Sequence, residues 1–251
     1  MDNEARKIAQ EFDGLIDQAF RELRNPWALD PHRRGSVIAL VDAYEDGGIY
    51  PVDRLLGTVE RAVDLQLQFH YIQYVLGQIN HQYYARGGGI EEPAPLVLVR
   101  LVREALDQDL IVKSRILWER AMNLVYYIET GRTIEARSKK TKFWKFCEEE
   151  RPQWWWLLAY KPRVDKYDDA LRTPEVHKLS TLRRRFLGDG SHIDANFLLD
   201  PVNDVGLVWR NVVSIIGGGG VALNLAHDLD RDGNRLPLDT EFDYWGWNPG
   251  S

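Results

Sequence analysis

Two Arg-then-His spacings bracket a basic run in the stretch 171–192, LRTPEVHKLSTLRRRFLGDGSH. They pair Arg172 with His177, and Arg185 with His192. An imidazole exchanges protons near neutral pH, and a guanidinium holds phosphate with a permanent positive charge. Together they can bind a phosphate and move a proton beside it. A solvated helix with a histidine at each end would show the same spacings. With six histidines and abundant arginine, roughly one or two such pairs arise by chance, so local context has to separate them.

In RTPEVH the pattern puts Thr173 at a helix N-cap and Pro174 at the first helical position, which proline favours. His177 then lies in the first turns of a helix over 174–187, with Arg172 just outside it. Backbone N–H groups at such an end point outward and attract phosphate. The helix dipole there disfavours a charged imidazole and leaves a neutral ring able to accept a proton. His177, Thr181 and Arg184 share one face at i, i+4 and i+7, beside an apolar face of Val176, Leu179, Leu182 and Phe186. Arg185 falls in the last turn, where it complements the dipole, and GDGS after it reads as a turn. The first pair has the chemistry of a phosphate site, and the second reads as the end of a helix.

The elements that must carry these residues read as helices throughout. Ile8, Phe12, Leu15, Ile16, Ala19, Phe20 and Leu23 recur at three- and four-residue intervals, and Asn25-Pro26 ends that helix. Residues 27–53 are irregular around VIALV, a run that fits a strand or a buried helical turn. Helices are predicted at about 54–86, 95–108 and 110–130, the last closed by Gly131, then at 137–149, from RPQWWWLLAY onward, and at 203–216. There is no repeat of 20 to 50 residues and no strand alternation. The organisation expected is all-α: an N-terminal helix and irregular segment over 1–53, a helical-bundle core over 54–216, and a Gly-rich turn with an acidic aromatic tail over 217–251.

Charge is unevenly placed. The chain of 251 residues carries −6, yet 132–187 holds 15 Lys and Arg against 8 Asp and Glu, a net of +7. A basic segment on an acidic protein can form a footprint for a phosphate backbone, although charge runs also line solvated helices. Within it, RSKKTKFWKF interleaves Lys139, Lys140, Lys142 and Lys145 with Phe143, Trp144 and Phe146, and WWW follows at 154–156. Such mixtures stack bases and bind phosphates, but tryptophans more often pack into cores. Three consecutive tryptophans on a helix cannot all face one way, so at least one should meet a groove, a partner or solvent.

Other candidates are weaker. DLDRDGNRLPLD places Asp228, Asp230 and Asp232 at calcium-loop positions 1, 3 and 5, with Gly233 at the turn. Position twelve is Asp239 rather than Glu and position eight is Arg235, so a solvated acidic turn fits better. His70, His81 and His227 have no partner at metal spacing. The single cysteine, Cys147, precedes Glu148–Glu150, which oppose thiolate formation, and one cysteine suits a reducing cytosol. GGGG at 217–220 lacks the Lys and Ser/Thr of a P-loop. No apolar run is long enough to span a membrane, and the polar N-terminus is not a secretory signal, so a cytoplasmic protein is expected.

An Arg-x4-His spacing opening a helix in an all-helical chain resembles the HEPN superfamily, helical bundles that include many metal-independent ribonucleases of toxin–antitoxin, CRISPR and phage-defence systems. The likeness covers about 54–216. ILWERAMNLVYYIE also looks like an inner helix of that family, with Glu119, Asn123 and Tyr127 on one face. The family often has Asn after the Arg, where this chain has Thr173. The resemblance implies a two-fold dimer bringing both motifs into one cleft and no cofactor. It implies that Arg172 and His177 act on RNA to leave a 2′,3′-cyclic phosphate. Glu119, Asn123, Thr181 and Arg184 are the supporting candidates, and Lys139, Lys140, Lys142, Lys145, Arg183 and Arg185 the RNA-binding ones. The rival reading is a non-catalytic helical subunit that holds a partner protein, or an antitoxin, through the bundle and the tail DYWGWNPGS, since exposed Trp and Tyr are favoured anchors.

Overall fold

The computed structural model describes residues 3–22, 36–84, 96–134, 139–169 and 195–221. Among them there is no strand, and the fold is all-α. The elements are α1 (Asn3–Glu22), α2 (Val37–Gly47), α3 (Leu55–Tyr84), α4 (Leu96–Thr130), α5 (Lys139–Lys145), α6 (Lys161–Tyr167) and α7 (Ala195–Ile216). A 3₁₀ turn at Val52–Arg54 leads into α3. Between α5 and α6 lie a π-helical turn, Phe146–Glu150, and a 3₁₀ stretch, Pro152–Tyr160. The predicted helix 174–187, with Arg172, His177, Thr181, Arg183, Arg184 and Arg185, lies outside the described residues, as do Asp228, Asp230 and Asp232.

VIALV resolves as helix, for a reason local to its start. Ser36 is the N-cap, its hydroxyl accepting from Ala39 N–H at 3.3 Å. Asp13 of α1 then accepts from the Ser36 hydroxyl and from the amides of Val37 and Ile38, at 2.6 to 3.1 Å. Four donors at the start of α2 are thus engaged, and an anion sits at the positive end of its dipole. At the other end, Arg6 of α1 bridges Asp42 and Glu45, both at 2.7 Å. These contacts fix α1 antiparallel to α2.

α3 and α4 form the central antiparallel pair. Arg54 caps the α4 C-terminus by donating to the carbonyls of Ile128 and Glu129. Farther along, Arg61 stacks on the Tyr127 ring at 3.6 Å, Arg120 pairs with Asp64, and the Tyr71 hydroxyl donates to Asp109 at 2.6 Å. Gly57 lies against Tyr127, and a Cβ there would overlap the Tyr127 hydroxyl. The two helices expected at 95–108 and 110–130 are one. No Gly or Pro interrupts 96–130, and Asp109, between the two expected helices, accepts a hydrogen bond from Tyr71 of α3. Gly131 does close α4, at φ +67° with its N–H on the Tyr127 carbonyl.

α7 also begins earlier than the sequence suggests, at Ala195 rather than 203, and runs through Pro201. Proline removes one helical hydrogen bond, but Val202, Val205, Val208, Trp209 and Val212 bury the following face in the core. That core is a single cluster drawing on α1 through α7. Much of its aromatic content comes from the basic segment, where Phe143, Trp144, Phe146, Trp154, Trp156 and Tyr160 are all buried; Tyr44, Phe69, Trp118 and Trp209 add to it from other helices.

Candidate functional site

Arg115, Glu119, Asn123 and Tyr127 follow one another at four-residue spacing along α4, which puts them in one line. Arg115 is 7% exposed. Its Nε lies 2.9 Å from Oδ1 of Asp168, just past the end of α6, and donates to Oδ2 at 3.2 Å. Its Nη1 is 3.6 Å from Glu119. Lys140 of α5 reaches the same carboxylate at 2.8 Å and Asp165 at 2.8 Å. The adjacent Tyr167 hydroxyl donates to the Ile111 carbonyl of α4 at 3.3 Å. Residues 165–168 are therefore held from α4 and α5 together.

Charge within this cluster is matched: Arg115, Lys140 and Lys161, the last 3.7 Å from Asp165, face Glu119, Asp165 and Asp168. Burial opposes the charged form of Lys140, but Asp165 and Asp168 outweigh it and hold its pKa above the ordinary value. Burial also raises the Tyr167 hydroxyl well above the usual tyrosine range. Lys140, a candidate RNA contact by sequence, thus faces inward onto carboxylates. Lys142 and Lys145 are exposed, Lys145 beside Glu149 at 3.5 Å, and Lys139 is half-buried.

Two buried polar atoms on the line have no hydrogen-bond partner: Nη1 of Arg115, 3.6 Å from Glu119, and the amide oxygen of Asn123. Tyr127 lies under Arg61. A buried acceptor without a donor costs about 1–3 kcal/mol. Spare hydrogen-bonding capacity therefore sits midway along the polar line of the central helix.

A second centre was not legible in sequence. Glu129, in the last turn of α4, accepts from the Tyr50 hydroxyl at 2.6 Å, Trp154 Nε1 at 2.8 Å and Gln153 Nε2 at 2.9 Å, with Arg151 at 3.3 Å. Every bond spans a long sequence separation, so only Arg115–Glu119, at i, i+4, had a local signature. The Glu129 group joins the α2–α3 turn, α4 and the tryptophan stretch, with Oε1 accepting three hydrogen bonds and Oε2 paired with Arg151, which suits a structural junction. Of the tryptophans, Trp154 and Trp156 are buried, while Trp155 is 57% exposed.

Among the described residues no cluster of three or more His, Cys, Asp or Glu could hold a metal ion, and no helix is long and apolar enough to cross a membrane. His70 is buried on α3 with Nδ1 3.0 Å from the Gln73 amide oxygen, a packing position. No family model matches the chain, and no curated protein or solved structure matches it.

Proposed function

We propose that the chain is a HEPN-like, metal-independent endoribonuclease of a toxin–antitoxin or antiviral defence system, working as a homodimer on RNA. The observation that carries this reading is the polar line of α4, with the unengaged Asn123 oxygen at its middle, in an all-helical chain that also holds the RTPEVH motif. In the reaction, His177 takes the proton of an RNA 2′-hydroxyl. The 2′-oxygen bonds to phosphorus as the P–O5′ bond breaks, and the leaving oxygen takes up a proton. Arg172 stabilises the charge on the phosphorane. One positioned histidine contributes about 10² to 10⁴ in rate, and fixed donors around the phosphorane add a comparable factor. Arg184 and Thr181 lie on the same predicted face as His177 and serve as further donors. The exposed Lys142 and Lys145 supply backbone contacts. The test is cleavage of RNA in EDTA by wild type and His177→Ala, read as 2′,3′-cyclic phosphate ends.

A second reading, a non-catalytic docking subunit, is favoured by the exposed Trp155 and by Leu67, Tyr71 and Tyr74, which form an exposed apolar stripe at i, i+4 and i+7 on α3. Such a chain would show no turnover and would co-purify with a partner protein.

A further inference from the structure

We propose that the outer face of the α3–α4 pair is a self-association surface, on which a second copy of this chain packs with its two-fold axis along the α3–α4 seam. Pairing through this face does not depend on the Arg172–His177 chemistry, so either can fail without the other.

The face is apolar at its middle and at one end. Leu67, Tyr71 and Tyr74 of α3 are 52%, 42% and 44% exposed, and Val112 of α4 is exposed as well. Val112 shares its side of α4 with Asp109 and Lys113, and both of these reach Tyr71. Asp109 accepts from the Tyr71 hydroxyl at 2.6 Å, and Lys113 Nζ lies 5.2 Å from the ring centre. Ile116, half-buried, follows one turn along α4. Scattered exposed apolar side chains need no explanation, but a contiguous group rimmed by polar residues marks an interaction site. Tyrosine is also a favoured anchor of such sites.

Charge selects the occupant. Asp64 of α3 pairs with Arg120 of α4 at 3.2 Å, and both side chains keep exposed surface beyond that pair. Exposed Glu60 lies one turn farther along α3. Other charges beside the seam are engaged within the copy: Arg61 with Tyr127 and Thr133, Asp109 with Tyr71, and Glu119 beside Arg115. Acids on α3 thus stand opposite Arg120 and Lys113 on α4. A two-fold contact sets one surface against itself. With the axis along the seam, α3 of one copy lies over α4 of the other at the same level. Asp64 then meets Arg120, Tyr71 meets Lys113, and Leu67 meets Ile116. An axis across the seam would lay the charged end on the tyrosines and bring Lys113 level with Arg120, a like-charge contact that opposes binding.

The experiment is light scattering on the full chain after size exclusion. It compares wild type, Leu67→Asp, Asp64→Arg, Arg120→Asp, and an equimolar mixture of the last two. Exposed ion pairs add little to stability, so both charge variants should fold, as circular dichroism will report. The wild type is expected at twice the 29.1 kDa chain mass. Each single variant should weaken the dimer by about 30-fold or more, the scale of losing an interface anchor. The mixture should recover it, because each arginine again faces an aspartate across the interface, although neither copy regains the pair within itself. If Leu67→Asp does not fold, the charge variants decide. A monomeric wild type overturns the proposal. A dimer that every folded single variant keeps overturns this face as the place where copies pair. A mixture that stays monomeric overturns the two-fold along the seam.

Discussion

The Tyr50 hydroxyl lies 2.6 Å from the Glu129 carboxylate, joining the α2–α3 turn to the last turn of α4. The same oxygen takes the Trp154 indole at 2.8 Å and the Gln153 amide at 2.9 Å. Glu129→Ala removes the acceptor from several donors at once, and breaking a buried charged network costs roughly 3–5 kcal/mol. Urea unfolding should show that loss, with Glu129→Gln intermediate. A loss below about 1 kcal/mol, the scale of an exposed ion pair, would mean that the junction does not hold the fold.

Neighbouring tryptophans should behave oppositely. Trp154 is 0% exposed and hydrogen-bonded, and truncation of a buried aromatic costs about 3–5 kcal/mol. Trp155→Ala should stay within about 0.5 kcal/mol, as for surface substitutions. Thermal denaturation of both variants checks this. Equal losses would contradict the assigned packing.

Gly57 should not tolerate a methyl group. A Cβ there overlaps the Tyr127 hydroxyl, and overpacking typically costs about 1–3 kcal/mol. In a Tyr127→Ala background the same Gly57→Ala change should cost less, so the double-mutant cycle should be non-additive. Additive effects would show that α3 and α4 do not meet at these residues.

Alkaline pH should unfold the protein. Burial pushes the Cys147 thiol up to about 12 from its ordinary 9.0, and the Tyr44 hydroxyl up to about 12 from 10.0. Tyr50 and Tyr167 are raised as well, chiefly by burial. Above pH 9 the unfolded chain releases these protons before the folded one does. The folded state then binds more protons, so stability falls as pH rises. The contribution is fully present below pH 9 and is lost progressively toward pH 12. Melting temperatures measured from pH 7 to 11 should drop steeply at the upper end, and Cys147 should resist alkylation at pH 8 until denaturant is added. A flat profile with rapid alkylation would contradict the burial of both groups.

The fold was legible where periodicity is strong and breakers are sharp. α1 follows its apolar spacing, α3 covers most of the helix expected over 54–86, and Gly131 marks the end of α4. VIALV was ambiguous because a short apolar run fits two periods, and the carboxylate that decides it, Asp13, comes from another helix. The false break near Asp109 and the late start of α7 share one cause. Each helix is completed by contacts from elsewhere in the chain, the Tyr71 hydrogen bond at Asp109 and the buried face of α7 after Pro201. For the candidate site, Glu119 and Asn123 were readable from helical spacing, and the structure places them on one line. Arg115 with Asp168, and Glu129 with Tyr50, were not readable, since each pair joins residues more than 50 positions apart. Sequence alone makes Lys140 an RNA-binding candidate, because its carboxylate partners, Asp165 on α6 and Asp168 just past it, are more than 20 positions away.

The most direct test of the central claim is cleavage of total RNA by the purified protein in EDTA, wild type beside His177→Ala, with the wild type freed of any co-purifying inhibitor. The proposed chemistry predicts wild-type cleavage leaving 2′,3′-cyclic phosphate ends and a loss of about 10²-fold or more in a folded His177→Ala. Equal activity in the two proteins would contradict the assignment of His177, and equal silence would contradict the nuclease and favour the docking subunit.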